Sequence, residues 1–593
     1  MGCVAEQLYQ YSGNNPFTDS QGRNFSDSKI QKEFCPISKF WSLFNDHHEI
    51  LIGTRGSGKT FLLKMMRRSM LSKIDMPKAR QIIEDSEYFA FYVPMHMETV
   101  TALLDEQIDD KRKITLFKYV INSLLAESII EEICNYLQSI ESVQERYLID
   151  GQYARKIANV WYPTHDNSSI VDLSDLGIRV RSELYNFDYI AGDLQSIAVS
   201  FQREIATPLL AIQPLLNQIL KIENEPAWII CVDEAEFMPE IFQKCMNSFM
   251  RSNTNRIVLK VATLPYYWRT LDTLDPNIVL SPENDFNYQI LDMDGDSKDF
   301  KALTNKLCAH RIKNRVDMNL DIETLEDFLG KVGNDNRIDY YRVIMGDKKA
   351  SSEQVVADIV ASFSEERKKG SKKYPNQEKT IHQKFAPILY VREVYQWLHK
   401  HGHGNLVPGW YAGADVVRKV SQGNPRLFIR LMSSMFSRAT SSHFSSKIQH
   451  QVIVKFANEF CDASKAIEMD GPEVYEKLAD AGEYLHKKVH DGAIVSVGCS
   501  FKFKYQGEDS FEDWEKWIQR AVAFSKIRVS DEDIIYGLKR DSILTFSYAY
   551  AAKYWLPMRG DIPTVIPTNY KEKGWVSGQL SLFDIAEKDD VSK

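Results

Sequence analysis

A glycine-rich segment that ends in lysine and threonine is the part of the sequence best suited to bind a polyphosphate. Residues 53–60 read Gly-Thr-Arg-Gly-Ser-Gly-Lys-Thr, which is the spacing of a phosphate-binding loop, although the same letters can also occur in a loop that binds nothing. Glycines let the backbone wrap around phosphate oxygens, and amides at a helix N-terminus attract anions. Lys59 is expected to reach the β- and γ-phosphates of ATP, and the Thr60 hydroxyl to bind Mg2+. The predicted nucleotide contacts are Gly53, Thr54, Arg55, Gly56, Ser57, Gly58, Lys59, Thr60 and Phe61.

Two adjacent acids follow a strongly apolar segment further along the chain. Residues 228–232 (Trp-Ile-Ile-Cys-Val) predict a buried central strand, and Asp233 and Glu234 come directly after it. In this Walker B pattern Asp233 is expected to hold the metal ion, and Glu234 to orient and deprotonate the attacking water. A switch that only binds nucleotide often lacks the second acid, so the pair favours hydrolysis. The alternative is a buried strand that ends in acids without a catalytic role.

Two further polar residues are candidates for sensing the γ-phosphate. Thr263 ends a predicted strand at residues 257–263, although a hydroxyl at a strand end is common. Arg426 follows Gly423-Asn424-Pro425, where Asn424 can cap a helix and Pro425 suits its first position. A cation near a helix N-terminus is electrostatically unfavourable, and a bound phosphate would offset that cost. The alternative for Arg426 is an exposed side chain after a turn.

These residues need elements that bring them together. The sequence predicts strands at residues 50–52 and 88–93 in addition to the two named above, and a helix at residues 61–66 directly after the glycine-rich loop. A strand before the loop and a helix after it are the context that a phosphate-binding loop requires.

The order of these motifs resembles that of AAA+ ATPases of the origin-recognition-complex-like and related signalling (STAND-like) clade. The resemblance covers roughly residues 30–440 and rests on residues 53–60, Val-Asp-Glu-Ala-Glu at 232–236, Thr263 and Gly-Asn-Pro-Arg at 423–426. It implies a helical lid in which Arg426 acts as the second sensor. It also implies that a neighbouring subunit supplies an arginine finger from the end of the helix before the Thr263 strand. Arg251 is preferred over Arg256 for that role, and both could instead solvate a loop.

The expected fold class is α/β: an AAA+ P-loop NTPase with a parallel sheet, a helical insertion, a helical lid and a C-terminal α+β domain, for which a winged helix is one candidate. A chain of 593 residues is too long for one core. The predicted domains are an N-terminal extension (1–40), a nucleotide-binding domain (41–290) with an insertion at about 97–222, a lid (291–440) with a basic loop at about 363–384, a C-terminal domain (441–570) and a tail (571–593).

Composition limits the partners and the compartment. The formal net charge of −8 means that any DNA contact must come from a local basic surface, such as the run at residues 365–373, which could equally be a solvated face. The eight cysteines are scattered without a C-x-x-C pair, which is typical of reduced thiols in a cytoplasmic protein. The sequence has no apolar run long enough to predict a membrane span, and its N-terminal part has no apolar segment of the kind that predicts a secretory signal.

The tail carries a short apolar motif, Gln579-Leu580-Ser581-Leu582-Phe583, after several glycines and serines. It resembles the motif by which bacterial proteins bind the replicative sliding clamp, with Gln579 expected in a polar pocket and Leu582 and Phe583 in a hydrophobic one. The alternative is that the segment packs on its own domain. The segment at residues 549–559 also resembles the end of bacterial ATPases of this clade that are found in phage-defence and mobile-element gene neighbourhoods.

Three functions therefore remain open. The first is an ATP-hydrolysing AAA+ protein that acts on DNA or DNA-bound complexes in bacterial antiviral defence or a mobile element. The second is a signalling ATP switch that forms a homo-oligomer and regulates a separate effector protein. The third is a scaffold tethered to the clamp, which the two Walker B acids argue against.

Overall fold

The chain folds into two compact units in a computed structural model. The N-terminal unit comprises Gln21–Asp292, and the C-terminal unit comprises Met293–Lys593 together with Met1–Ser20. The described residues are 15–18, 25–85, 87–104, 108–185, 199–222, 225–252, 256–315, 323–329, 388, 391–392, 394–395, 410–438, 446–467, 470–491, 497–506, 510–559 and 563–569. The basic loop at about 363–384 and the motif Gln579–Phe583 lie outside them.

A parallel sheet forms the centre of the N-terminal unit. Its strands, among the described residues, are β1 (Glu49–Ile52), β2 (Tyr88–Pro94), β3 (Ala227–Asp233), β4 (Ile257–Thr263) and β5 (Asn287–Ile290), in the spatial order β2-β3-β4-β1-β5. Every residue of β1, β3 and β4 is buried, which explains why these strands are apolar runs rather than alternating ones. Ile52 pairs with Thr263 on one side and with Ile290 on the other, so the carboxyl ends of β1, β4 and β5 meet at one edge.

Helices cover this sheet and fill the connection between β2 and β3. They are α1 (Asp27–Glu33), α2 (Ser38–Trp41), α3 (Lys59–Met65), α4 (Arg68–Leu71), α5 (Pro77–Asp85), α6 (Met97–Ala102), α7 (Asp110–Gln138), α8 (Val143–Trp161), α9 (Leu173–Tyr185), α10 (Thr207–Ile219) and α11 (Glu240–Ser252). Helix α7 is apolar on most of its faces, and it is buried because it packs between the sheet and the other inserted helices. Its Ser128 hydroxyl accepts a hydrogen bond from the Tyr92 N–H of β2 (2.9 Å), and its Asn122 amide donates to the Phe201 carbonyl (2.8 Å).

The C-terminal unit combines helices with a second, mixed sheet. Its described helices are α12 (Lys298–Arg315), α13 (Leu325–Leu329), α14 (Ala414–Ser421), α15 (Pro425–Arg438), α16 (Ser446–Asp462), α17 (Gly471–His490), α18 (Phe511–Ala523), α19 (Asp531–Tyr536) and α20 (Tyr548–Tyr554). The strands β6 (Ser500–Lys504), β7 (Ile527–Arg528), β8 (Leu544–Phe546) and β9 (Thr564–Pro567) have the order β7-β8-β6-β9. Strand β6 is antiparallel to β8 and parallel to β9. A winged helix in this region stays a prediction.

The predicted fold class is confirmed: a parallel α/β sheet carries the glycine-rich loop, and an α+β region follows the helices of the C-terminal unit. The finer domain boundaries stay predictions. No described helix is long and apolar enough to cross a membrane. Burial raises the pKa of the thiols to about 12 at Cys231, Cys245, Cys308, Cys461 and Cys499.

Candidate nucleotide site

The glycine-rich loop leaves the carboxyl end of β1 and turns sharply into α3. A Cβ atom on Gly53 would lie 2.5 Å from the Ser57 hydroxyl oxygen, so a side chain there would force the loop open. Gly58, the residue before α3, has a φ of 99°, which residues with a side chain rarely adopt. The glycine pattern therefore reflects a tight turn from β1 into α3, and a loop of this kind before a helix N-terminus is suited to bind an anion.

Lys59 lies inside this loop rather than in solvent. The side chain is 8% exposed, and its ammonium donates to the carbonyls of Gly53 (2.5 Å) and Thr54 (3.3 Å). Among its neighbours, Thr60 is half-buried and Arg55 is exposed. Phe61 packs its ring edge-on against Phe25, with 5.7 Å between centroids. The loop thus holds a buried cation where phosphate oxygens can replace the backbone carbonyls as its partners.

Asp233 is fixed at the end of β3 by two donors. The Tyr92 hydroxyl donates to one carboxylate oxygen of Asp233 (2.8 Å), and the Glu234 N–H donates to the other (3.0 Å). Burial raises the pKa of Tyr92 well above its usual value, and the Asp233 charge raises it further, so the tyrosine stays a donor. Asp233 is 1% exposed, and this arrangement holds its carboxylate in one orientation at the strand end.

Glu234 leaves the strand in an unusual backbone conformation. Its φ and ψ are 59° and 34°, the left-handed region that costs a residue with a side chain about 1 kcal/mol or more. A short 3-10 helix, Ala235–Phe237, follows at once, and the Phe237 N–H donates to the Glu234 carbonyl (3.2 Å). The sharp turn at Glu234 aims its side chain away from the direction that continued strand geometry would give.

Glu236 is a third acid at this strand end, for which no role was predicted from the sequence. One of its carboxylate oxygens is buried with no hydrogen-bond partner among the described residues. Burial raises the pKa of Glu236, the charge of Lys59 opposes this, and the charges of Asp233 and Glu234 reinforce it. The signal in the sequence was the second glutamate of Asp-Glu-Ala-Glu, which a search for one catalytic base passes over.

Two buried hydroxyls lie beside the loop. Thr263 is fully buried, and its carbonyl accepts from the Gly53 N–H (3.2 Å). Within the described part of the chain, neither the Thr263 hydroxyl nor the Ser57 hydroxyl has a hydrogen-bond partner. Such groups normally have one, so these two are suited to bonding a ligand's oxygens. Together with Lys59 and the loop amides they fit a triphosphate, and the Thr60 hydroxyl with the Asp233 carboxylate fits Mg2+.

Asp292, two residues after β5, supports the loop, and this contact was not predicted from the sequence. One of its carboxylate oxygens accepts from both the N–H (2.9 Å) and the hydroxyl (3.0 Å) of Thr54. The Leu291 N–H donates to the Ile52 carbonyl (2.7 Å), which extends the pairing of β5 with β1 up to the loop. No motif indicates this residue, because the contact depends on the register of two strands far apart in sequence.

The candidate arginines lie in different places. Arg251 lies in the last turn of α11, and its side chain is 52% exposed. Its guanidinium forms an ion pair with the Asp285 carboxylate (2.5 Å). Arg256 donates to the Glu225 carbonyl (2.5 Å). Arg426 belongs to the C-terminal unit, in the first turn of α15.

Helix α15 begins with the cap that its sequence predicts. The Asn424 side-chain oxygen accepts from the N–H groups of Arg426 (3.0 Å) and Leu427 (3.3 Å). The cap fixes the backbone of Arg426 at the helix start. Among the described residues, no group of three or more His, Cys, Asp or Glu side chains is arranged to hold a metal ion.

Comparison with known proteins agrees with this geometry. The sequence model of the ORC-CDC6-like family matches residues 15–564, which is most of the chain. No curated protein gave a significant match.

Proposed function

The chain belongs to the ORC-CDC6-like family of AAA+ ATPases, and from this we propose that it binds and hydrolyses ATP at the loop between β1 and α3. The observation that carries the proposal is the convergence of Lys59, Asp233 with Glu234, and Thr263 on one edge of the sheet. Phosphoryl transfer to water uses groups of these kinds: a buried cation, a fixed carboxylate, a second acid and a hydroxyl that is available to bind the phosphate.

Binding of the triphosphate would use groups that already point into the loop. Lys59 would exchange the carbonyls of Gly53 and Thr54 for β- and γ-phosphate oxygens, which as anions are stronger acceptors. The contacts would extend over Gly53–Phe61, with the amides of Gly56 to Thr60 around the phosphates. The Thr263 hydroxyl would donate to the γ-phosphate and so distinguish ATP from ADP.

Hydrolysis would depend on the acids after β3. Mg2+, held by the Thr60 hydroxyl and the Asp233 carboxylate, would supply positive charge to the phosphate oxygens. Glu234 would orient the attacking water and take its proton. Tyr92 would keep the Asp233 carboxylate in place through its hydrogen bond. Arg426, and Arg251 of a second copy of this chain, would stabilise the charge that develops on the γ-phosphate.

We further propose that this ATPase acts on DNA or DNA-bound complexes in the bacterial cytoplasm, in antiviral defence or a mobile element. Two resemblances support this proposal. Residues 549–559 resemble the end of bacterial ATPases found in phage-defence and mobile-element gene neighbourhoods, and Gln579–Phe583 resembles a motif that binds the sliding clamp. A pull-down with purified bacterial clamp tests the motif. Equal capture of the intact chain and of a Leu582→Ala/Phe583→Ala variant would contradict clamp binding through this motif.

A second candidate function is a signalling ATP switch that oligomerises and regulates a separate effector. The exposed Arg251 lies near the end of α11, which leads into the amino end of β4, whereas Lys59, Asp233 and Thr263 lie at the carboxyl ends of the strands. An arginine in that place favours assembly of several copies. Turnover with and without DNA, measured beside the mass with and without ATP, separates the two functions. Strong stimulation by DNA supports the DNA-acting enzyme, whereas ATP-driven assembly that ignores DNA supports the switch. In either case Lys59→Ala should abolish ATP binding.

A further inference from the structure

Helix α8, in the insertion between β2 and β3, carries an apolar stripe that is buried at one end and exposed at the other. Ala154, Ala158 and Trp161 are buried on one side of the helix. Val143 and Tyr147 continue this stripe toward the start of α8, because all five residues recur at the 3.6-residue period of a helix. They are nevertheless 56% and 76% exposed. The first half of the stripe is therefore available to a partner.

Residues of α9 and of the segment before it extend this exposed surface. Leu148 of α8 is 66% exposed. One turn further along α8, a Cβ atom on Gly151 would lie 3.0 Å from the Val171 carbonyl oxygen, so Val171, which is 59% exposed, lies against the helix. The Val171 N–H donates to Asp175 (3.0 Å), one turn before Ile178 on α9, and Ile178 is 58% exposed. We call five residues the insertion patch: Val143, Tyr147, Leu148, Val171 and Ile178.

The insertion patch concentrates exposed apolar surface in one place. Of the fourteen large apolar side chains that are exposed among the described residues, six lie between residues 143 and 178, including all five of the patch. Scattered exposed apolar residues are ordinary, whereas a contiguous group of them marks an interaction site. Tyr147 suits such a site, because tyrosine offers a large contact area for a small loss of side-chain freedom.

Three carboxylates border the patch, and backbone N–H groups hold each of them in place. The Leu173 N–H donates to Asp150 (2.7 Å), which precedes Gly151 on α8. The Asp175 N–H donates to Asp172 (2.9 Å), and Asp175 is itself the acceptor for Val171. Ion pairs in this insertion join other residues, and none of the described cations pairs with these three aspartates. The border of the patch is therefore acidic and fixed.

The three carboxylates also lie close enough to repel one another. Burial raises the pKa of Asp150, and the charges of Asp172 and Asp175 act in the same direction, against the hydrogen bond from the Leu173 N–H. A cation placed beside them would relieve this repulsion. The patch thus combines apolar contact area with a requirement for positive charge.

We propose that the insertion patch binds a basic amphipathic helix of a separate protein. The apolar face of that helix covers the patch, and its lysine or arginine side chains pair with Asp150, Asp172 and Asp175. A nucleic acid would bring phosphates against these carboxylates, so it does not match the charge of this surface. The patch contains none of the residues of the nucleotide site, and the inference does not depend on ATP hydrolysis.

The experiment measures binding of two labelled synthetic peptides to the full-length chain by fluorescence anisotropy. Both are amphipathic helices of about 20 residues with the same leucine face, and the polar face carries lysine in one peptide and glutamate in the other. The apolar variant is Tyr147→Ser/Leu148→Ser, and its matched control is Ile278→Ser/Val279→Ser, which removes exposed apolar side chains elsewhere in the same unit.

The charge variant is Asp172→Asn/Asp175→Asn, which keeps the side-chain oxygens that accept the backbone hydrogen bonds. Its matched control is Glu84→Gln/Glu98→Gln, which neutralises two exposed acids outside the patch. Thermal unfolding and ATP binding are measured on every protein. Unchanged values show that a loss of peptide binding is not a loss of folding.

The intact chain should bind the lysine peptide at least about 10-fold more tightly than the glutamate peptide. The apolar variant should bind the lysine peptide at least about 10-fold more weakly than its control does. The charge variant should bind it about 3-fold to 10-fold more weakly, and added salt should weaken its binding less than that of the intact chain.

The proposal is wrong if the lysine peptide binds the apolar variant as tightly as the control, or if the two peptides bind the intact chain equally. An apolar variant that loses DNA binding would assign the surface to nucleic acid. One that self-associates less than its control in sedimentation velocity would assign the surface to a second copy of this chain. Either result would overturn the partner proposed here, whereas failure of the intact chain to bind ATP would overturn only the proposed function.

Discussion

The carboxylate of Asp292 accepts hydrogen bonds from both the backbone N–H and the hydroxyl of Thr54, the second residue of the glycine-rich loop. Asp292 is the last residue of the N-terminal unit, and the next residue, Met293, begins the C-terminal unit. A Cβ atom on Gly423 would lie 1.9 Å from the Met293 carbonyl oxygen, so Met293 lies tightly against the Gly-Asn-Pro-Arg motif. Any side chain at position 423 would therefore displace Met293.

Asp292→Ala should weaken ATP binding about 10-fold, because loss of hydrogen bonds to a charged acceptor costs about 1.5 kcal/mol or more. Fluorescence anisotropy with labelled ATP measures the effect. Thr54→Ser keeps both donors and should bind like the intact chain, which makes it the matched control. An Asp292→Ala variant with unchanged affinity would show that the loop holds its shape without this support.

Glu236→Gln should distinguish the role of Glu236 from that of Glu234, the other acid that follows Asp233. A buried carboxylate oxygen without a hydrogen-bond partner is costly, and the neutral amide is nearly the same size, so the variant should be more stable by about 1 kcal/mol and should still hydrolyse ATP. Thermal unfolding and phosphate release measure the two properties. A loss of turnover as large as that expected for Glu234→Gln would instead assign the base role to Glu236.

Acidification should destabilise the N-terminal unit through His48. Burial and, to a smaller extent, the charge of Lys260 together lower the pKa of His48 from 6.5 to about 4, and its Nδ1 accepts from the Leu259 N–H (3.0 Å). Because the folded pKa is the lower one, the unfolded chain binds the proton first as the pH falls through 6.5. Stability therefore falls from about pH 6.5 toward pH 4, by about 2 kcal/mol at pH 5.

His48→Asn keeps an acceptor near the Nδ1 position but has no proton to gain. Unfolding midpoints at pH 7.5 and pH 5.0 should therefore differ less in this variant than in the intact chain. His47→Asn is the control, because His47 is exposed and pairs with Asp46 at the surface. Identical pH dependence in all three proteins would contradict the role of His48.

Arg67 should contribute strongly to stability. Its guanidinium is 3% exposed and pairs with Asp27 of α1 (2.5 Å) and Glu131 of α7 (2.8 Å), with Glu132 nearby (3.9 Å). Arg67→Ala leaves the buried Glu132 without this cation and should cost about 3–5 kcal/mol, measured by chemical denaturation. Arg80→Ala breaks the exposed Arg80–Asp75 pair and should cost less than about 1 kcal/mol. A loss of unfolding free energy in Arg67→Ala as small as that in Arg80→Ala would mean that the ion pairs of Arg67 do not stabilise the fold.

The sequence predicted those parts of the site that depend on local pattern. The strand at residues 257–263 is β4, and the helix that follows Gly58 is α3, because continuous apolar runs and a glycine-bounded helix start are local signals. Asp292 was not predicted, because its contact with Thr54 depends on the register of strands far apart in sequence. The left-handed turn at Glu234 is likewise imposed by the surrounding structure and not by the residue's own preference.

ATP turnover by Glu234→Gln is the measurement that tests the central claim most directly. Phosphate release and nucleotide affinity are measured on the same preparation, with Lys59→Ala beside it. We expect Glu234→Gln to bind ATP as tightly as the intact chain but to release phosphate at least about 100-fold more slowly, because the water loses its general base. Turnover at the rate of the intact chain in Glu234→Gln would contradict the assignment of hydrolysis to this residue.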